Sequence, residues 1–208
     1  MARHERYWSE LRSHPPREIC QKALVSHRKP GYYSVPLLAE EHQISPARES
    51  VARVTVAGRE DSDCELLLLM YLLKAADTPI VGQWVTEKGL PGGELFFRGP
   101  HTLPSQRFIE CFGGDPQELV QAAQRHGGSS TDCGDAAVEL QVLPRIPMMC
   151  VLWSADQEFG ARARFLFDAS VAAHLPLDMI LSMTHRVADR LTGFGAEAAP
   201  PAEPSSPA

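Results

Sequence analysis

The sequence predicts an α+β fold with a mainly antiparallel sheet covered by helices, in a single domain, and three observations predict it. Val138, Leu140 and Val142 alternate with Glu139 and Gln141, Met148 to Trp153 is an unbroken apolar run, and Ala163, Phe165 and Phe167 alternate with Arg162, Arg164 and Leu166. A two-residue period of this kind suits strands with one face on the core, and the links are short enough for antiparallel hairpins. The second observation is Leu66–Leu73, apolar on every side as a central buried helix is. The third is that strands and helices do not alternate regularly, as βαβ units require.

With 208 residues and 44% hydrophobic content, the chain can bury a substantial core. Residues 1–193 are expected to form the one domain, opened by a helical segment over 1–29. The Gly/Ala/Pro/Ser/Glu-rich 194–208 cannot bury apolar area and reads as a disordered tail. A net charge of −6 and a pI near 5.7 argue against nucleic-acid or anionic-membrane partners, which reward clustered Lys and Arg. The basic residues among 1–29 lack interleaved stacking aromatics and read as a solvated helical face. The N-terminus has no apolar core of signal-peptide length and Leu66–Leu73 is too short to cross a bilayer, so a cytoplasmic location is expected. Cys20, Cys64, Cys111, Cys133 and Cys150 are scattered, odd in number and without C-x-x-C spacing; they encode neither a disulfide framework nor a self-contained zinc or iron–sulfur site.

Taken in order, Ala2–Leu11 forms a short helix and Pro16 opens a second, with Ile19 and Ala23 on one face. Tyr32–Leu38 is strand-like, with Pro36 confining it to an edge or interrupting it, and Glu41–Ser45 and Ser50–Val56 are further strands. Ser62 and Glu65 make a capping box for the apolar helix. Ile80–Val85 and Glu94–Phe97 read as strands around a Gly/Pro-rich link. Pro104–Phe112 is a helix, and Asp115 caps another that Gly127 and Gly128 end. In the hairpin between Met148–Trp153 and Ala161–Phe167, Gly160 is expected to supply a positive φ. Pro176 begins the last helix, whose stripe of Leu177, Ile180, Leu181, Thr184, Val187, Ala188 and Leu191 covers the sheet until Gly193.

Asp156, Glu158, Asp168 and His174 are the candidate acid/base or metal constellation, because they fall at the ends of two strands. Within it, Asp168 and His174 are the candidate metal ligands. Solvated turn carboxylates and a capping Asp168 account for the same residues. Cys133, between Asp132 and the pair Gly134–Asp135, is a candidate reactive thiol, for which a turn is the competing reading. Trp84, Trp153 and Phe97, with Tyr71, can wall a planar ligand, and Gly92 and Gly93 (with Gly82) can let a ligand approach the backbone; aromatic core packing and turn geometry are the bland equivalents. No nucleophile elbow, dinucleotide fingerprint or His-Glu-x-x-His helix occurs.

The segments LLLLMYLLKAADTPIVGQWV, the LPGG turn, FGGDPQELVQAAQRHGG, CGDAAVELQVLPRIP and VLWSADQEFGARARFLFDASVAAHLPLDMI together resemble DUF3786, an uncharacterised domain family found largely in anaerobic bacteria. Coverage runs from about Ile19 to Leu191. Some relatives carry an added iron–sulfur module similar to that of corrinoid/iron–sulfur proteins, and this chain lacks those cysteines. The resemblance therefore implies a ligand-binding or accessory protein in anaerobic cofactor metabolism, with a corrinoid or tetrapyrrole ligand, or an iron–sulfur or corrinoid protein as partner. A metal-assisted hydrolase or transferase using Asp156, Glu158, Asp168 and His174 with a divalent metal is the alternative, and a protein-interaction scaffold is the third reading.

Overall fold

The computed structural model describes residues 4–55 and 60–194. The expected tail, from residue 195 on, lies outside them, as does Val56 at the end of the third expected strand. The fold is α+β, with two antiparallel sheets around one continuous core.

Helices α1 (Glu5–Ser13) and α2 (Pro16–Ala23) lead into a four-stranded meander. Its strands are β1 (Ser26–Arg28), β2 (Tyr32–Leu37), β3 (Glu40–Ser45) and β4 (Ser50–Arg53), paired in sequence order. Contrary to expectation β2 is neither an edge strand nor interrupted at Pro36; the proline is tolerated because β1 pairs only with Tyr32–Ser34, so the position where proline offers no N–H faces no ladder. Leu38 and Ala39 turn β2 into β3 with φ of 51° and 62°. The Leu38 N–H donates to the Val142 carbonyl at 3.0 Å, joining this sheet to the second.

Helix α3 (Ser62–Lys74) runs through the middle, with Leu67, Leu68, Leu69 and Tyr71 fully buried. Its cap is Asp61 rather than Ser62. The Asp61 carboxylate accepts from the backbone of Asp63 at 3.0 Å and Cys64 at 2.8 Å, so Ser62 becomes the first helical residue. Trp8 Nε1 donates to Glu65 Oε1 at 3.1 Å and docks α1 onto this helix.

The second sheet has the order β5-β9-β8-β7-β6, with β5 (Trp84–Thr86), β6 (Ser129–Thr131), β7 (Ala136–Leu143), β8 (Ile146–Trp153) and β9 (Arg162–Asp168). The three contiguous strands read from the alternating pattern are thus present, antiparallel and adjacent. Phe165, Phe167, Met148, Cys150, Val138 and Leu140 share the face toward the core. Helices α5 (Ser105–Phe112) and α6 (Pro116–Arg125) cover that face at β9 and β7, while α7 (Leu177–Thr192), expected to lie on the sheet, packs mainly on α3, α5 and α6. The stripe on α7 is buried at Ile180, Thr184, Val187, Ala188 and Leu191, and Gly193 closes the helix at φ 69°.

Three local expectations are corrected. Glu94–Phe97 is not a strand; Gly93–Phe96 makes the short helix α4, whose closing N–H of Phe97 bonds the Gly93 carbonyl at 2.9 Å. At Gly93 an added Cβ would sit 1.9 Å from the Glu87 carbonyl oxygen, so close packing alone requires glycine there. Residues 80–83 form no strand, with Gly82 at φ 76°, and apart from the Ala169 N–H bonding the Gln83 carbonyl at 2.8 Å, strand pairing begins at Trp84. Gly160 has no positive φ; the hairpin loop is instead closed by Asp156, whose carboxylate accepts from the N–H groups of Glu158 at 2.8 Å and Phe159 at 2.7 Å.

Candidate metal centre

Strand β3 alternates as a strand with one buried face should, and this sets His42 and Ile44 inward while Gln43 is exposed. A histidine therefore occupies a core position. Its Nδ1 lies 3.1 Å from the Glu40 carbonyl oxygen, which can only accept, so Nδ1 carries a proton. In the neutral ring the Nε2 lone pair then points the other way, into the protein. Nε2 is buried, and its one polar neighbour among the described hydrogen-bonding and ion-pair contacts is Glu60, in ion-pair contact without good hydrogen-bond geometry.

Two side chains meet that nitrogen. Glu60 Oε1 is 3.3 Å away, and the Glu60 side chain is 5% exposed. Its backbone N–H bonds the Val51 carbonyl at 3.1 Å, so the segment entering α3 is pinned to β4. Cys64 follows in the first turn of α3 and is fully buried. One donor atom from each of His42, Glu60 and Cys64 lies within 4.8 Å of the others, and among the described residues this is the only such trio of His, Cys, Asp or Glu.

Guanidinium groups surround the trio. Arg53, directly across the ladder from His42, donates from Nε to Glu60 at 2.9 Å and from Nη1 to Glu40 at 3.2 Å. Arg186 of α7 grips both oxygens of Asp61 at 2.6 and 2.7 Å, and its Nη1 stands 4.0 Å from Glu60 Oε2. Arg190, one turn further along, reaches Glu40 at 3.4 Å. The His42 contact first, then the charges of Arg53 and Arg186, hold the Glu60 carboxyl down at about 2, although burial opposes them. Burial pushes the Cys64 thiol up to about 12. A cation that replaces the thiol proton removes that burden, since a coordinating thiol is deprotonated outright.

The residues singled out from sequence are placed as follows. Asp168 is 1% exposed and fully engaged: it accepts from the N–H groups of Val81 at 3.1 Å, Gly82 at 2.6 Å and Ser170 at 3.0 Å, and from the Ser170 hydroxyl at 2.5 Å. It ties the 80–83 segment to the end of β9. His174 is completely buried and neither ring nitrogen has a hydrogen-bond partner. Burial, then the charge of Arg145, lower its pKa, with Asp168 pulling the other way. Asp156 and Glu158 are exposed in the hairpin loop. The four are not collected into a ligand group of the kind that His42, Glu60 and Cys64 form.

Trp84 and Trp153 do share a surface. They pack with Cys133 and Leu166 around Ala137, Met149 and Val151, on the sheet face away from the main core. Phe97 and Tyr71 belong to the main core instead. Gly92 caps α4 with φ 76°, against Leu177. All five cysteines are free.

The fold and the trio define a class: an α+β protein with an imidazole, a carboxylate and a thiol buried between a sheet and a helix start. The chain belongs to the DUF3786 family, whose model, described as a domain of unknown function, matches residues 15–190 and so spans the whole site. Comparison with curated proteins and with solved structures gave no match. No helix among the described residues is long and apolar enough to cross a membrane.

Proposed function

We propose that this chain is a metal-binding domain that holds one divalent transition-metal ion with His42 Nε2, Cys64 Sγ and a Glu60 oxygen. The observation that carries the reading is His42. Its Nδ1–H is committed to a backbone carbonyl while its buried Nε2 stands 3.3 Å from the Glu60 carboxylate and converges with it and the Cys64 thiol. Metal-bound histidines show this arrangement, in which the outer hydrogen bond fixes the tautomer and aims the lone pair. A thiolate with an imidazole suits zinc, cobalt or iron rather than magnesium or calcium. Bonds of about 2.0–2.3 Å bring tetrahedral donors within about 4 Å of one another, which adjustments of less than an ångström here would reach.

The role this supports is an accessory or carrier one. The donors come from a sheet and a helix start, so the ion would also cross-link them. This keeps the ligand-binding reading of the sequence and moves it from the aromatic surface to the buried trio.

The test is thermal unfolding of chelator-treated protein before and after adding zinc in excess of the protein. Metal at about a hundred times its Kd stabilises by about 2.7 kcal/mol. For a domain of this size, that raises Tm by about 5–10 °C. His42→Ala and Cys64→Ala should abolish the increase. An unchanged Tm for the wild type, with no zinc retained after desalting, overturns the proposal and leaves His42 and Glu60 as a structural ion pair.

A further inference from the structure

We infer that the metal's fourth ligand is a small monoanion from outside the chain, bound beside the guanidinium of Arg186. The inference rests on the metal-binding reading and deepens it, and charge and geometry carry it independently.

Three protein donors leave one corner of a tetrahedron to another ligand. Residues 56–59, immediately before Glu60, are Val, Ala, Gly and Arg and bring no metal-ligating side chain.

Charge names the class of that ligand. Among the described residues, the ion pairs around the site join three guanidiniums, those of Arg53, Arg186 and Arg190, to three carboxylates, those of Glu40, Glu60 and Asp61. They cancel. A divalent ion bound by the Cys64 thiolate and the neutral His42 adds one net positive charge next to the buried side chains of His42, Glu60 and Cys64. An uncompensated charge there is costly, and one monoanion removes it while completing the coordination.

Geometry names its neighbour. Arg186 is anchored through Nη2 to Asp61, while Nη1 stops 4.0 Å short of Glu60 Oε2, beyond hydrogen-bond reach. That arm stands beside Glu60 in ion-pair contact without a hydrogen bond, where it can donate to a ligand on the metal. Arg53, by contrast, is engaged by Glu60 and Glu40. The chemical class is therefore a compact anion of single charge, such as hydroxide, a small carboxylate or a small thiolate.

The test uses the full chain loaded with cobalt(II) chloride and titrated with sodium azide. Cobalt bound by Cys64 gives a near-ultraviolet thiolate-to-metal charge-transfer band, absent in Cys64→Ala. Azide should then shift the visible d–d bands saturably. Arg186→Gln should keep the charge-transfer band and bind azide about tenfold more weakly, the scale of one hydrogen bond to a charged group. Arg186→Lys, which preserves the charge and the Asp61 partner, should recover part of that loss. A charge-transfer band with d–d bands that azide does not move overturns this inference alone and marks a closed structural site. Azide affinity unchanged in a folded Arg186→Gln removes Arg186 from it. No charge-transfer band in the wild type overturns the metal reading as well.

Discussion

The Tyr71 hydroxyl accepts from the backbone N–H of Arg145 at 3.1 Å and donates to the Ala23 carbonyl at 2.8 Å, so one buried phenol joins α3, the β7–β8 turn and the end of α2. The Arg145 side chain repeats the connection, reaching the carbonyls of Lys22, Gln21 and Thr78 and the Asp77 carboxylate. Tyr71→Phe removes the hydroxyl and leaves a buried N–H and a buried carbonyl unsatisfied. It should cost about 1–3 kcal/mol in chemical denaturation. A change below about 0.5 kcal/mol would show that the junction is held by Arg145 alone.

Asp168 performs the same kind of joining at the other end of the sheet. Both its oxygens accept hydrogen bonds, so Asp168→Asn must set an amide N–H against a backbone or hydroxyl donor. A loss of about 2–3 kcal/mol is expected. The hydrogen bonds outweigh burial and hold the Asp168 carboxyl below its ordinary value. Its contribution is therefore present above the unfolded-state pKa of about 3.9 and is lost as pH falls through the folded value. Stability curves from pH 7 down to 2.5 should show the wild type losing more than the variant below pH 4. Parallel curves would remove Asp168 from the acid response.

His174 has the opposite character. Burial, first, and Arg145 keep it from protonating in the folded state, so acid favours the unfolded chain as pH falls below the ordinary histidine value of about 6.5. His174→Leu replaces an unsatisfied polar ring by an apolar side chain of similar size. It should be neutral or stabilising at pH 7 and should flatten the decline between pH 6.5 and 5. A loss above about 2 kcal/mol at pH 7 would mean that the ring has a polar partner in solution.

These side chains also show what the sequence could and could not convey. The β7–β8–β9 order was legible because a two-residue apolar period constrains each strand's face locally, and α3 was legible because its apolar residues point in every direction. Asp61 capping α3 was one residue from the expected Ser62: two neighbouring residues can each cap, and tertiary pairing with Arg186 favours the carboxylate. Asp156, Glu158, Asp168 and His174 drew attention by lying near strand ends. Yet Asp168 and Asp156 are spent on backbone amides, a local use that spacing does not distinguish from ligation. The trio of His42, Glu60 and Cys64 was missed because its members meet only when β3 docks against the start of α3. A signal did exist: in EEHQIS, His42 shares the inward phase with Ile44, and a polar residue in an apolar phase needs a partner.

The most direct measurement of the central claim is zinc X-ray absorption on protein loaded with one equivalent of metal. The proposed ligands predict one sulfur at about 2.3 Å with nitrogen and oxygen neighbours at about 2.0–2.1 Å, and loss of the sulfur shell in Cys64→Ala. A first shell of nitrogen and oxygen alone in the wild type, unchanged by Cys64→Ala or His42→Ala, would contradict it.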